Sequence, residues 1–344
     1  MNMMYIGADV AKANVVLAMR IKGRVYKLPE ITNDAAGFER LAQMIEQNKR
    51  EHQAEQISLV IEPTGGYELG LAYFAHSRGW QVLMVNPKLV RDWAKSQGQR
   101  AKTDELDAQL LANYAAERPE NKPIPIWQPM PELVGQMDNL LGRRRDLEQL
   151  LQQERNRQDM YALRPTLSND IVPNSISAII TAAIQALADI EQAIQDVIDR
   201  HPDVQEQLDQ LDSIPGVGVK TLLPLFALLA RWYAMTGGRG SDKALTAFVG
   251  LDPGTSQSGT RNRHGHISKT GDPEMRRLLF MAALGGKRGK NPLRDFYEGM
   301  VGRGKMRMVA LIAAARKILL WAWAVFRSHT YFDPSKCAPK RLTN

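Results

Sequence analysis

The 344-residue chain has a single cysteine, Cys337. One thiol excludes an internal disulfide framework and any cysteine-built zinc site, and it fits a reducing cytoplasm. Histidine is also scarce, with six in all; the pair His264 and His266 has no cysteine or carboxylate at ligand spacing and reads as loop contacts. The opening MNMMYIGADVAK lacks a basic start followed by a long apolar core, so no secretory signal is expected. The most apolar late stretch, MVALIAAARKILLWAWAVF, is interrupted by Arg316 and Lys317 and reads as a packed helix, so no membrane residence is expected. Acids are what the C-terminal third is short of. Residues 231–344 hold 21 Lys and Arg against seven Asp and Glu, whereas residues 1–230 hold 24 against 30. A solubilising surface seldom gathers so much charge of one sign in one part of a chain. The excess points to a polyanionic partner, nucleic acid first, because Lys and Arg displace the counterions of phosphates.

What is present is ordered in three parts and a tail. MYIGADV, NVVLAMRIKG and RVYKLPEIT read as three strands, with a Lys22-Gly23 hairpin turn between the second and third. A helix over about 34–47 follows, then a strand in QISLVIEP, a helix in YELGLAYFAHSRG, a strand in QVLMVNP, and helices from about Lys88 and Thr103. Hairpin strands followed by strand-helix units predict a mixed α/β sheet flanked by helices, the pattern of a ribonuclease H-like domain. The Pro-rich RPENKPIPIWQPMP marks a boundary. Two long amphipathic helices come next, paired with each other or with another subunit, and then a small, mostly helical domain. The expected divisions are 1–120, 121–203 and 204–335, with a tail at 336–344.

The acids of the first part gain meaning from that layout. Asp9 ends the first strand and Glu62 the strand LVIEP; Asp104 and Asp107 open a helix in KTDELDAQLLANY, three residues apart and so on one face. Singly, each has an ordinary explanation: a strand-end turn, a surface charge, acids favoured by a helix dipole. Together, ends of neighbouring central strands and a helix laid across them predict four carboxylates around one spot. Such a set repels itself unless a cation sits inside it. Oxygen ligands without His or Cys suit Mg2+ or Mn2+, and paired ions of this kind serve phosphodiester chemistry. Glu105 lies about 100° around the helix and is left out.

YIGADVAK, IEPTGGY, VNP and KTDELDA, followed by SIPGVG, FVGLDPGTSQSGT and ISKTGDPEMRRLL, resemble the DEDD-type insertion-sequence transposases, relatives of the Piv-like DNA invertases. The resemblance spans nearly the whole chain. It implies an RuvC-like ribonuclease H-fold domain, a coiled-coil segment and a C-terminal transposase domain. It implies metal-binding roles for Asp9, Glu62, Asp104 and Asp107, strand exchange on DNA in the bacterial cytoplasm, and guidance by a non-coding bridge RNA; recombining two duplexes in turn suggests a homo-oligomer, dimer or tetramer. The late loop offers the hydroxyls of Thr255, Ser256, Ser258, Thr260 and Ser268, and the residues by themselves do not choose among them. The resemblance places the nucleophile on Ser258.

Nucleic-acid contacts are expected from Arg100 and Lys102 ahead of the aspartate pair, and from Arg261, Arg263, Lys269, Arg276 and Arg277 around the serine loop. SIPGVGVKTLL reads either as a helix-hairpin-helix-like DNA contact, with Gly216, Gly218 and Lys220 at a phosphate, or as an ordinary helix-helix turn. Trp321 and Trp323 are expected in a packed helix. Three other readings stay open: an RuvC-like endonuclease or junction resolvase using water, an actin-like ATPase suggested by IGADVAK and IEPTGGY though no Walker-type loop is present, and a non-catalytic nucleic-acid binder.

Overall fold

The computed structural model describes residues 2–98, 103–118, 124, 126–163, 171–253, 256–258, 261–263 and 267–337, with backbone alone at 256–258 and 261–263. It forms two compact units, Met1–Pro129 and Met130–Asn344.

In the first unit β1 (Met3–Val10) is the central strand. Antiparallel β2 (Asn14–Ile21) flanks it on one side and parallel β5 (Gln56–Ile61) on the other; β3 (Arg24–Lys27) lies beyond β2 and β6 (Gln81–Met84) beyond β5. This is the mixed sheet that a ribonuclease H-like reading requires. RVYKLPEIT is not one strand, however. It breaks into β3 and a two-residue β4 (Ile31–Thr32) that pairs with the start of β2. Pro29 stands in the break, and proline has no N–H to give a ladder.

Strand alternation assigns the two faces. Met4, Ile6, Ala8 and Val10 are buried with Phe38, Leu41 and Ile45 of α1 (Ala35–His52) and Leu71, Ala72 and Ala75 of α2 (Leu69–Ser77). The opposite face puts Tyr5 and Val60 with Val90 and Ala94 of α3 (Pro87–Ser96) and with Leu110, Leu111 and Tyr114 of α4 (Asp104–Ala116). α1 runs past the predicted end near residue 47 to His52, where Lys49, Arg50 and His52 suit the negative end of its dipole and Gln53 turns left-handed at φ 54°. The chain then returns to the sheet edge after α4: Ile126 bridges Leu83, and Trp127 N–H donates to Val82 O at 2.7 Å. Part of the Pro-rich boundary segment thus belongs to the first unit.

Among its described residues the second unit is helical apart from one small hairpin. α5 (Glu132–Ala162) and α6 (Ile171–Asp199) lie against each other. Ile176, Ala183, Ile190 and Val197 of α6 face inward at seven-residue spacing, the seam of two long paired helices. The core continues through α7 (Pro202–Asp212), α8 (Val219–Thr236), α9 (Asp242–Val249), α10 (Pro273–Gly286), α11 (Pro292–Gly302) and α12 (Arg307–Ser328). Both α6 and α12 are long and apolar enough to cross a membrane by length and composition. In α12 most of the apolar residues are core: Trp321 and Trp323 are buried, and Trp323 Nε1 donates to Gly240 O at 3.2 Å. α6 instead leaves Ile179 and Ile184 exposed.

Candidate active site

Asp9 and Glu62 owe their positions to strand register. Ala8 pairs with Ile61 in parallel β1 and β5, so the next residues on each strand, Asp9 and Glu62, emerge level with one another. Both continue the alternation of the α4 side of the sheet, Tyr5 and Gly7 before Asp9, Ser58 and Val60 before Glu62.

α4 is laid across this end by a close approach at Gly7. A Cβ on Gly7 would fall 1.9 Å from Ala108 O and 2.8 Å from Ala112 N, so only glycine admits the helix. Direction follows from Arg20, which pairs with Tyr5 in register and donates to Asn113 Oδ1 at 2.9 Å and Glu117 Oε1 at 2.7 Å. The C-terminal end of α4 therefore lies over the Tyr5 end of β1, and its N-terminal turn over the Asp9 end. From Ala108 back to Asp104 is about 6 Å of helix. From Gly7 to Asp9 is about 7 Å of strand. The backbone of Asp104 thus comes level with Asp9, with Asp107 in the same turn. Thr103 caps the helix by accepting from Leu106 N–H, and Glu105 turns aside to pair with Lys27 of β3.

The four acids share one end of one sheet face, but they do not surround one spot as predicted. Among the described residues no three Asp, Glu, His or Cys side chains stand together as a ready metal cage. Like charges favour separation. The donor set itself, four carboxylates without His or Cys, has the chemistry of a hard divalent-ion site.

Sequence reading missed the residues that hold the loops carrying these acids. Glu68, only 5% exposed, accepts from Thr64 N–H at 3.0 Å, Thr64 Oγ1 at 3.0 Å and Gly66 N–H at 2.9 Å. It thereby closes the turn after Glu62, in which Gly65 and Gly66 have positive φ. Because the N–H groups of Thr64 and Gly66 are directed at Glu68, they are not free to cradle a phosphate, which removes one of the two motifs behind the ATPase reading. Asn33 ties the two acid-bearing loops together, its Nδ2 donating to Ala11 O at 2.9 Å and to Tyr67 O at 3.1 Å. The only sequence signal was a glutamate beside a Gly-Gly turn.

Burial acts to raise the Glu68 carboxyl, but the hydrogen bonds from its own backbone N–H and from Thr64 and Gly66 outweigh it and leave its pKa lowered. A depressed folded-state value contributes stability that is present above the ordinary glutamate range and is lost as pH falls through the folded value. Glu68→Gln is expected to destabilise the first unit by about 1–2 kcal/mol at pH 7. In thermal melts at decreasing pH, the gap from wild type should narrow below about pH 4.5.

In the second unit Ser256–Ser258 (β7) pairs antiparallel with Arg261–Arg263 (β8), setting Ser258 opposite Arg261. Arg100, Lys102, Thr255, Thr260, His264 and His266 lie outside the described residues, as do the side chains of Ser256, Ser258, Arg261 and Arg263. The base of this loop is clamped: Pro253 bridges Ile267, Ser268 N–H donates to Asp252 O at 2.9 Å, and the Ser268 hydroxyl bonds the Asp252 carboxylate. Lys269, at φ 56°, donates its N–H to Gly250 O.

Several expected phosphate contacts have structural duties here. Arg276 Nη1 donates to Val249 O at 3.1 Å and Gly271 O at 2.6 Å, tying the loop base to α10. Arg277 is held by both oxygens of Glu274 at 2.8 and 2.5 Å. Gly216, at φ 94°, is a packing glycine: its Cβ would lie 2.4 Å from Ala282 O and 3.2 Å from the Cα of Gly286, so it faces α10. Gly218, by contrast, is open and precedes α8, whose first turn has no side-chain cap, and Lys220 is exposed in that turn.

Comparison with known proteins agrees with this layout. Residues 6–161 match the DEDD transposase model of the IS110 type, and residues 208–298 match the transposase model of the IS116/IS110/IS902 family. The pilin gene-inverting protein of Moraxella lacunata is 32% identical over 335 residues, covering 97% of this chain and 98% of that protein. The Moraxella bovis protein of the same name matches to the same extent. A 43.6 kDa protein of insertion element IS110 from Streptomyces coelicolor is 28% identical over 168 residues, 48% of this chain and 38% of that protein. T. thermophilus RuvC in complex with a Holliday junction substrate overlaps 33% of this chain and 92% of its own, at 13% identity and a TM-score of 0.25, too low to bear weight. The chain belongs to the DEDD-type transposases of the IS110 family, enzymes of DNA recombination.

Proposed function

We propose that this transposase exchanges DNA strands of an insertion sequence by serine attack. Ser258 Oγ attacks a backbone phosphorus and loses its proton as the bond to the 3′ oxygen breaks; the strand then carries a 5′ phosphoserine link and a free 3′ hydroxyl. Attack by a 3′ hydroxyl of another strand breaks the serine–phosphorus bond, returns a proton to Oγ and restores a phosphodiester. One phosphoester replaces another at each step, so no external energy source is needed.

The observation that carries the reading is the register of Asp9 with Glu62 beneath the first turn of α4. Asp9, Glu62, Asp104 and Asp107 would hold magnesium or manganese, whose chemistry is to lower the pKa of an attacking oxygen and stabilise charge on a departing one. The basic C-terminal third supports DNA as the substrate. Phosphate contacts carry no base code, which leaves choice of site to a separate element, a bridge RNA as in described members of the family. Exchange between two duplexes calls for a dimer or tetramer in the bacterial cytoplasm, at the nucleoid.

Mass spectrometry of the protein trapped with element-end DNA, guide RNA and Mg2+ tests this. A nucleotide adduct on the peptide containing Ser258, localised by fragmentation, is expected. An adduct on Ser256 would move the nucleophile. A 5′-phosphate product with no adduct would replace serine attack by hydrolysis of the resolvase kind.

A further inference from the structure

We infer that the cleft between α5, α8 and α10 of the second unit seats the phosphodiester backbone of a nucleic acid. This rests on the nucleic-acid reading above and assigns it to residues other than those of the serine loop and the acidic set.

The cleft encloses a cavity of about 660 Å3. Four acids line it, and each is already engaged: Glu274 with Arg277, Glu148 with Arg144, Asp138 at 3.7 Å from Arg231, and Asp272 capping α10 by accepting from Glu274 N–H. Arg145, Arg155 and Lys220 also line it, are exposed, and form no ion pair among the described residues. The cations are therefore in excess where the cleft meets solvent.

The spacing favours a polymer over a lone anion. Arg145 and Arg155 are ten residues apart on one helix, about 15 Å. That distance covers about four phosphates of one duplex strand at roughly 3.4 Å of axis each. Lys220 faces them from the uncapped first turn of α8, where Gly218 leaves the backbone accessible. Such contacts fix the position of a strand without reading its bases.

The test measures binding of the full-length protein to a labelled DNA duplex and, separately, a labelled single-stranded RNA across a series of salt concentrations. The variant combines Arg145→Gln, Arg155→Gln and Lys220→Gln; the control combines Arg24→Gln, Lys49→Gln and Arg50→Gln in the first unit. Circular dichroism verifies folding, and the single change Arg145→Glu repeats the test with less alteration. Loss of three phosphate contacts should lower the slope of log K against log salt by about 2–3 and weaken binding at least tenfold at low salt, with the control unchanged. A drop with DNA alone or with RNA alone supports the cleft and names its strand. Equal slopes for variant and control on both probes overturn it while leaving the function above intact. If wild-type protein shows no salt-dependent binding to either probe, the function reading fails first, and the cleft with it.

Discussion

Asp9→Asn is expected to abolish strand cutting while leaving the fold in place. The substitution keeps the size and shape of the side chain, and the backbone of Asp9 remains paired with Val16 in the β1–β2 ladder. What changes is one negative charge in a set of four acids at one sheet end. Stabilisation of transition-state charge at such a site is worth several kcal/mol, so removing one charge should slow cutting about 10³-fold or more. Glu105→Gln is the matched control. It removes a charge from the same helical turn, but from a side chain paired with Lys27, and should leave cutting within a fewfold of wild type. Single-turnover cleavage of labelled DNA with Mg2+ would measure both. Asp9→Asn cutting within tenfold of wild type, or Glu105→Gln proving as damaging, would remove the acids from the chemistry.

Gly7→Ala should have the largest effect on stability, at a residue with no chemistry of its own. Its Cβ would enter the space of Ala108 O at 1.9 Å, and a helix backbone cannot swing away as a side-chain tip can. Overpacking of this kind costs about 3 kcal/mol, equivalent to roughly 10 °C in the melting temperature of the first unit. The less direct consequence concerns the site. If α4 is pushed off β1, Asp104 and Asp107 leave the level of Asp9, so any protein that still folds should lose cutting as well. Gly135→Ala, which meets nothing within 4 Å in α5, should be neutral or slightly stabilising by helix propensity. Thermal melts of the two variants side by side distinguish a local clash from a general intolerance of glycine replacement.

Ile179 and Ile184 are exposed beside a seam that buries residues at seven-residue spacing, so the helix has apolar surface beyond what its pairing with α5 covers.

The order of strands and helices and the distribution of charge were legible in the chain itself, because they depend on residue type and order. Alternating strands, the turn at Lys22-Gly23, the helix from about Thr103, the acids at strand and helix ends, and the basic C-terminal third are local properties, and local propensity and charge do not need the fold to be read. Tertiary structure decided the rest. That Gly7 is where α4 crosses the sheet, that Glu68 and Asn33 hold the acid-bearing loops, and that Gly216 packs on α10 are contacts between residues distant in sequence. No periodicity marks such pairs. Likewise Arg276 and Arg277 read as phosphate ligands by charge alone, and only the positions of Val249, Gly271 and Glu274 show them already engaged. The physical reason is the same throughout: a side chain's type sets what it can bind, and packing sets which of those partners is within reach.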